Sequence, residues 1–127
     1  MELKSLNDAL NTITKKIKYY LDNPVTIEFA PYEKQQNVKF ISDKYNEIVE
    51  DYSNLLYLIE DAQYFISQCK KLLRLLSNNT ALEISQKDKI KTAITIVEES
   101  LVPIFTEKER LKTIEMMYRA IYNQKDF

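Results

Sequence analysis

PYEKQQNVKFISDKYNEIVEDYSNLLYLIEDAQYFISQCKKLLRLLS, residues 31–77, decides the fold. After its first residue the stretch contains neither Gly nor Pro. Apolar or small residues recur in alternating steps of three and four: Val38, Ile41, Tyr45, Ile48, Tyr52, Leu55, Ile59, Ala62, Ile66, Cys69, Leu73 and Leu76. Such a run is a sustained set of heptad a and d positions, and only a helix lines them all along one seam. The stretch is read as one long helix over 32–77, with Pro31 at its start, where a missing N–H costs nothing. At about 1.5 Å per residue it would reach roughly 70 Å. A compact domain of this size is only about 36 Å across. The molecule is therefore expected to be elongated, or the helix to bend at the weak helix formers Asp51, Ser53 and Asn54.

Working outward, residues 3–22 repeat the pattern with Leu3, Leu6, Leu10, Ile13, Ile17 and Tyr20. Asn23 precedes Pro24, which disfavours the helical conformation and ends this first helix. Ser5 and Asp8 have capping-box spacing. Residues 23–31 form a linker in which Val25, Ile27 and Phe29 alternate with Thr26 and Glu28. That is strand periodicity, with no second strand candidate in the chain to pair with. The segment is expected to lie extended in a helix groove or to pair with its counterpart in another copy. Beyond the long helix, Ser77-Asn78-Asn79-Thr80 is a polar turn. A third helix is expected at 86–102, opened by Ser85 and Asp88 and carrying Ile90, Ile94, Val97 and Leu101. Pro103 interrupts it. Thr106 and Glu109 suggest a fresh start for a fourth helix over 106–123 with Leu111, Ile114, Tyr118 and Ile121, a single kinked helix being the alternative.

The expected architecture is one all-α domain over 1–127, an elongated antiparallel bundle or coiled-coil hairpin built on the long helix. Short connections would lay the first helix on the first half of the long one, the third on its second half, and the fourth back toward the first. One mismatch follows. The second half of the long helix has the widest apolar face, because Leu58, Phe65 and Leu72 add g positions to the seam and Tyr57 and Tyr64 lie opposite it. Yet that half would have only one neighbour. Either a folded-back part of the chain or another copy is expected to cover it.

Composition narrows the function classes. The chain has 127 residues, 29% charged and 45% hydrophobic, with formal net charge −1, no Gly, no His and a single Cys. Without Gly there is no phosphate-cradling P-loop, dinucleotide fingerprint or nucleophile elbow. Without His the commonest general base and the imidazole metal ligands are missing. Cys69 sits on the seam, as a buried small hydrophobe would. Carboxylates at helical spacing, Glu47 with Asp51, Glu60–Asp61 and Glu98–Glu99, read as solvated helix faces. No cofactor or metal is expected, and no enzyme activity. The longest apolar run, Leu55–Ile59, is far too short to cross a membrane, and no signal segment opens the chain. One cysteine fits a reducing compartment, so a cytoplasmic setting is expected. The Lys, Asn, Ile and Tyr bias is the kind that AT-rich genomes, many viral ones among them, produce.

The leading expectation is a non-enzymatic protein–protein interaction or assembly protein, a homo-oligomer self-associating through the second half of the long helix. Its partner-binding residues would be Tyr57, Leu58, Tyr64, Phe65 and Leu72, since exposed tyrosines are favoured interface anchors. The alternative is a small nucleic-acid-associated protein. Lys70, Lys71 and Arg74 close the long helix, and Lys87, Lys89 and Lys91 open the next, so a hairpin would gather six cations at its tip. Tyr64, one heptad before Lys71, would supply a stacking ring for a single strand.

Overall fold

The computed structural model describes residues 1–26 and 37–124. Among them the protein is all-α, 89% helical and without strands. A 3-10 turn at Leu3–Ser5 leads into α1 (Leu6–Asp22), followed by α2 (Val38–Leu75) and α3 (Ala81–Gln124). The packing divides into two compact units. Unit 1 comprises Met1–Asn23 and Leu58–Ile104; unit 2 comprises Pro24–Tyr57 and Phe105–Phe127. In each, a stretch of α2 meets a stretch of α3 taken in reverse chain order, as antiparallel neighbours must be.

The seam on α2 is the buried one. Ile41, Ile48, Leu55, Ile59, Ala62, Ile66 and Cys69 are all buried, and Tyr45, Tyr52, Leu73 and Leu76 are half-buried. Only Val38, in the first turn, is exposed. The helix runs unbroken through Asp51, Ser53 and Asn54, because Leu55 and Ile48 on either side are both buried and outweigh weak local propensity. Its start differs from the expected 32. The Asn37 side chain accepts a hydrogen bond from the Phe40 N–H at 3.0 Å, the geometry of an N-cap. Most of the expected extended segment, with Ile27 and Phe29, lies outside the described residues.

In unit 1, α1 packs along the second half of α2, not the first half as short connections implied. The Met1 amine donates to Gln68 Oε1 at 3.4 Å, and Lys16 Nζ lies 3.5 Å from Asp61. These exposed contacts are worth little, but they fix α1 antiparallel to α2. The chain can do this because 15 residues separate α1 from α2, a span of up to roughly 50 Å when extended. Leu6, Ile13 and Ile17 of α1 are buried with Phe65 of α2 and Ile90, Ala93 and Val97 of α3. Of the wide apolar face, Phe65 is thus buried by the chain itself and Leu58 and Leu72 are half-buried, while Tyr57 and Tyr64 stay exposed.

In unit 2, Ile41 and Ile48 of α2 form a core cluster with Tyr118 of α3, flanked by Val25, Phe40, Ile114 and Ile121. The Tyr45 and Tyr122 rings stack with centroids 5.1 Å apart. Arg110 Nη2 donates to the Val25 carbonyl at 2.6 Å and to Glu107 at 2.9 Å, so the start of the linker is strapped to α3. The C-terminal half of α3 packs here with residues 38–57, not with α1 as expected.

The separate third and fourth helices are one helix. α3 passes through Pro103, and Thr106 lies within it. An interior proline costs about 3 kcal/mol. Buried Val97, Leu101, Ile104 and Leu111 straddle it, each worth roughly 1.5–3 kcal/mol, so continuing the helix wins. Its start also lies earlier than Ser85. Thr80 Oγ1 accepts from the Glu83 N–H at 3.1 Å, and the helix begins at Ala81. Ser5 does stand at the N-cap of α1, but makes no side-chain cap bond.

Candidate functional site

Two surfaces of unit 1 contain most of the residues singled out in the sequence. The first is an open hollow of about 350 Å³ between α1 and α2. Ala9 and Ile13 line it from α1, and Tyr64, Phe65 and Gln68 from α2. The adjacent residues Tyr64 and Phe65 have opposite fates. Phe65 is 6% exposed and Tyr64 is 66% exposed, since one step along a helix turns the side chain by about 100°. Of the five expected partner-binding residues, Phe65 is buried by its own chain, and Leu58 and Leu72 are half-buried. Tyr57, in unit 2, is 64% exposed. Of the five, Tyr57 and Tyr64 alone are mostly exposed.

The second surface surrounds the α2–α3 turn. Glu83 organises the turn. Its carboxylate accepts from the Ser77 N–H at 2.8 Å, from the Ser77 hydroxyl at 2.5 Å and from the Thr80 hydroxyl at 3.2 Å. These bonds, those from Ser77 foremost, hold the Glu83 carboxyl below its ordinary value, with the nearby Lys87 contributing. The sequence carried the signal: Thr80-Ala81-Leu82-Glu83 has capping-box spacing. It lies one turn before the Ser85–Asp88 spacing, which has the same form.

The six cations sort into different environments. Lys70, Lys71 and Arg74 are exposed and line one shallow depression on α2 with Gln63, Ile66 and Ser67. Lys87 is half-buried and donates to Asn78 Oδ1 at 3.0 Å. Lys89 lies in a different groove, shared by α1 and α3 with Leu10, Thr92 and Ile96. Lys91 is exposed. Because α3 begins at Ala81, these lysines stand in its second and third turns. The helix dipole, which acts within the first turn, no longer opposes them.

Other candidate groups are accounted for by packing. Cys69 is fully buried, and burial pushes its thiol up to about 11. Burial, then repulsion from Glu47 and Glu50, raises the Asp51 carboxyl. Among the described residues no three Cys, Asp or Glu side chains gather as a metal group, and no helix is long and apolar enough to cross a membrane. No protein-family model, no curated protein and no solved structure matches this chain.

Proposed function

We propose that the protein is a non-enzymatic, cytoplasmic assembly protein that self-associates through the second half of α2. The observation that carries the reading is Tyr64, two-thirds exposed on the rim of a hollow floored by Ile13 and Phe65. A tyrosine buries roughly 150–250 Å² when covered, and its hydroxyl can keep a polar partner at an interface rim. A second copy suits the hollow because its edge carries both signs of charge, Lys16 and Asp61. A self-complementary contact across a two-fold axis needs both.

The test is molar mass by light scattering over a wide concentration range. Mass should rise with concentration, and Tyr64→Glu should return the protein to monomer with helix content unchanged. Tyr57→Glu tests the other exposed tyrosine of α2 in the same assay. A parent protein that stays monomeric throughout overturns the reading.

A further inference from the structure

We infer that the side of unit 1 opposite α1 binds the phosphate backbone of duplex nucleic acid, through Lys70 and Arg74 of α2 and Lys87 and Lys91 of α3. The inference does not depend on self-association. It starts from where α1 lies. On α2, Asp61, Phe65 and Gln68 line the hollow shared with α1. On α3, Lys89, Thr92 and Ile96 line the groove shared with α1. At about 100° per residue, Lys70 and Arg74 stand roughly 120–180° around α2 from those positions. Lys87 and Lys91 stand roughly 100–180° around α3 from theirs. In an antiparallel pair flanked by a third helix, both sets fall on the same, open side. Lys89 faces α1 and stays outside the group; Lys71, which lines the α2 depression with Lys70 and Arg74, stands about 60–100° around the helix from them, at the outer margin of the group.

Each pair is spaced i, i+4, which sets its two side chains one helical turn apart on one face. Among the described residues Lys70, Arg74 and Lys91 have no ion-pair partner, and Lys87 is held by the neutral Asn78 amide. Glu83 spends its carboxylate on Ser77 and Thr80. The free carboxylate on the same side is Glu98, two turns beyond Lys91, about 10 Å along the axis. The result is a local cationic face on a protein of net charge −1.

The chemistry of that side selects among polyanions. Single strands are held by aromatic rings as well as cations, and the exposed ring of this unit's α2, Tyr64, is on the α1-side hollow. A membrane surface requires apolar anchors beside the cations. Leu75 and Leu82 are exposed but project from other sides of their helices, leaving Ile84, 45% exposed, as the apolar group near the cations. Backbone phosphates need neither rings nor anchors.

The experiment is fluorescence anisotropy of the full chain with a labelled mixed-sequence duplex, the matching single strand, and anionic phospholipid vesicles as competitor. At low salt the duplex should bind in the micromolar range, with little dependence on sequence. Four phosphate contacts predict a log–log salt slope near −3.6, from about −0.9 per phosphate. Changing all four cations to Gln, which leaves helix propensity nearly intact, should weaken binding at least tenfold with an unchanged circular dichroism spectrum. Lys89→Gln should leave it unaltered. Absence of duplex binding at low salt, a slope shallower than about −2, full binding by the quadruple variant, or tighter binding to the single strand or to vesicles overturns the inference.

Discussion

Substituting Phe65 by Ala tests the placement of α1 most directly. Phe65 is 6% exposed beneath α1, while Tyr64 beside it is 66% exposed. Truncating a buried Phe costs about 3–5 kcal/mol, the lost transfer energy plus the cavity left behind. Truncating an exposed Tyr costs under about 0.5 kcal/mol. Domains of this size are stable by roughly 5–15 kcal/mol, so Phe65→Ala should remove about a fifth of the total or more. At roughly 3–5 °C per kcal/mol, its Tm should fall by at least about 10 °C, while Tyr64→Ala moves it by no more than about 2 °C. Ile13, buried on α1 and lining the same hollow, supplies the control. If α1 covers Phe65, Ile13→Ala and Phe65→Ala should couple by about 0.5–3 kcal/mol in a double-mutant cycle. Urea denaturation followed by circular dichroism measures the three single variants and the double variant of Ile13 and Phe65. Similar small losses at positions 64 and 65, with additive behaviour at 13 and 65, would refute the packing.

Two further outcomes follow from α3. Pro103→Ala restores the N–H that an interior proline lacks, at an exposed position, and should raise stability by up to about 3 kcal/mol; a fall in Tm would mean that the proline is not accommodated in a continuous helix. Glu83 has a folded-state carboxyl below its ordinary 4.5, so its stabilisation is complete above that value and is lost as pH falls through the lower folded value. The stability difference between the parent and Glu83→Gln should therefore shrink in acid, and a difference that stays constant from neutral pH to about pH 2 would contradict the carboxylate's role at the turn.

The seam was legible because periodicity reports burial directly: each a or d residue of α2 after Val38 is buried or half-buried. The same holds for Ile90, Val97, Leu111 and Tyr118 in α3. What periodicity does not report is which neighbour a face meets. The wide apolar face at Leu58, Phe65 and Leu72 announced a missing neighbour, and α1 was available to fill it. The rule that sequence neighbours pack side by side sent α1 to the wrong half, because that rule assumes a short connection and this one is long enough to bypass a half-helix. Pro103 shows a different limit. A local penalty of about 3 kcal/mol is smaller than the combined burial of Val97, Leu101, Ile104 and Leu111 across it.

The candidate sites follow the same division. Heptad arithmetic located Tyr57 and Tyr64 opposite the seam, and both are exposed. It also counted Phe65 as surface, since a g position is outside the core only when no third helix covers it. The six cations look alike in the sequence because proximity to the turn was the one criterion available. Once α1 occupies one flank of the α2–α3 pair, angular position becomes the criterion. Lys89 then belongs to the α1 groove, Lys71 to the outer margin of the α2 depression, and Lys70, Arg74, Lys87 and Lys91 to the open flank. Tyr64 leaves the group for the same reason, taking with it the stacking ring that a single strand requires. The placement of one apolar helix thus rearranges the polar chemistry of two others, although none of the six cations contributes to the core that places it.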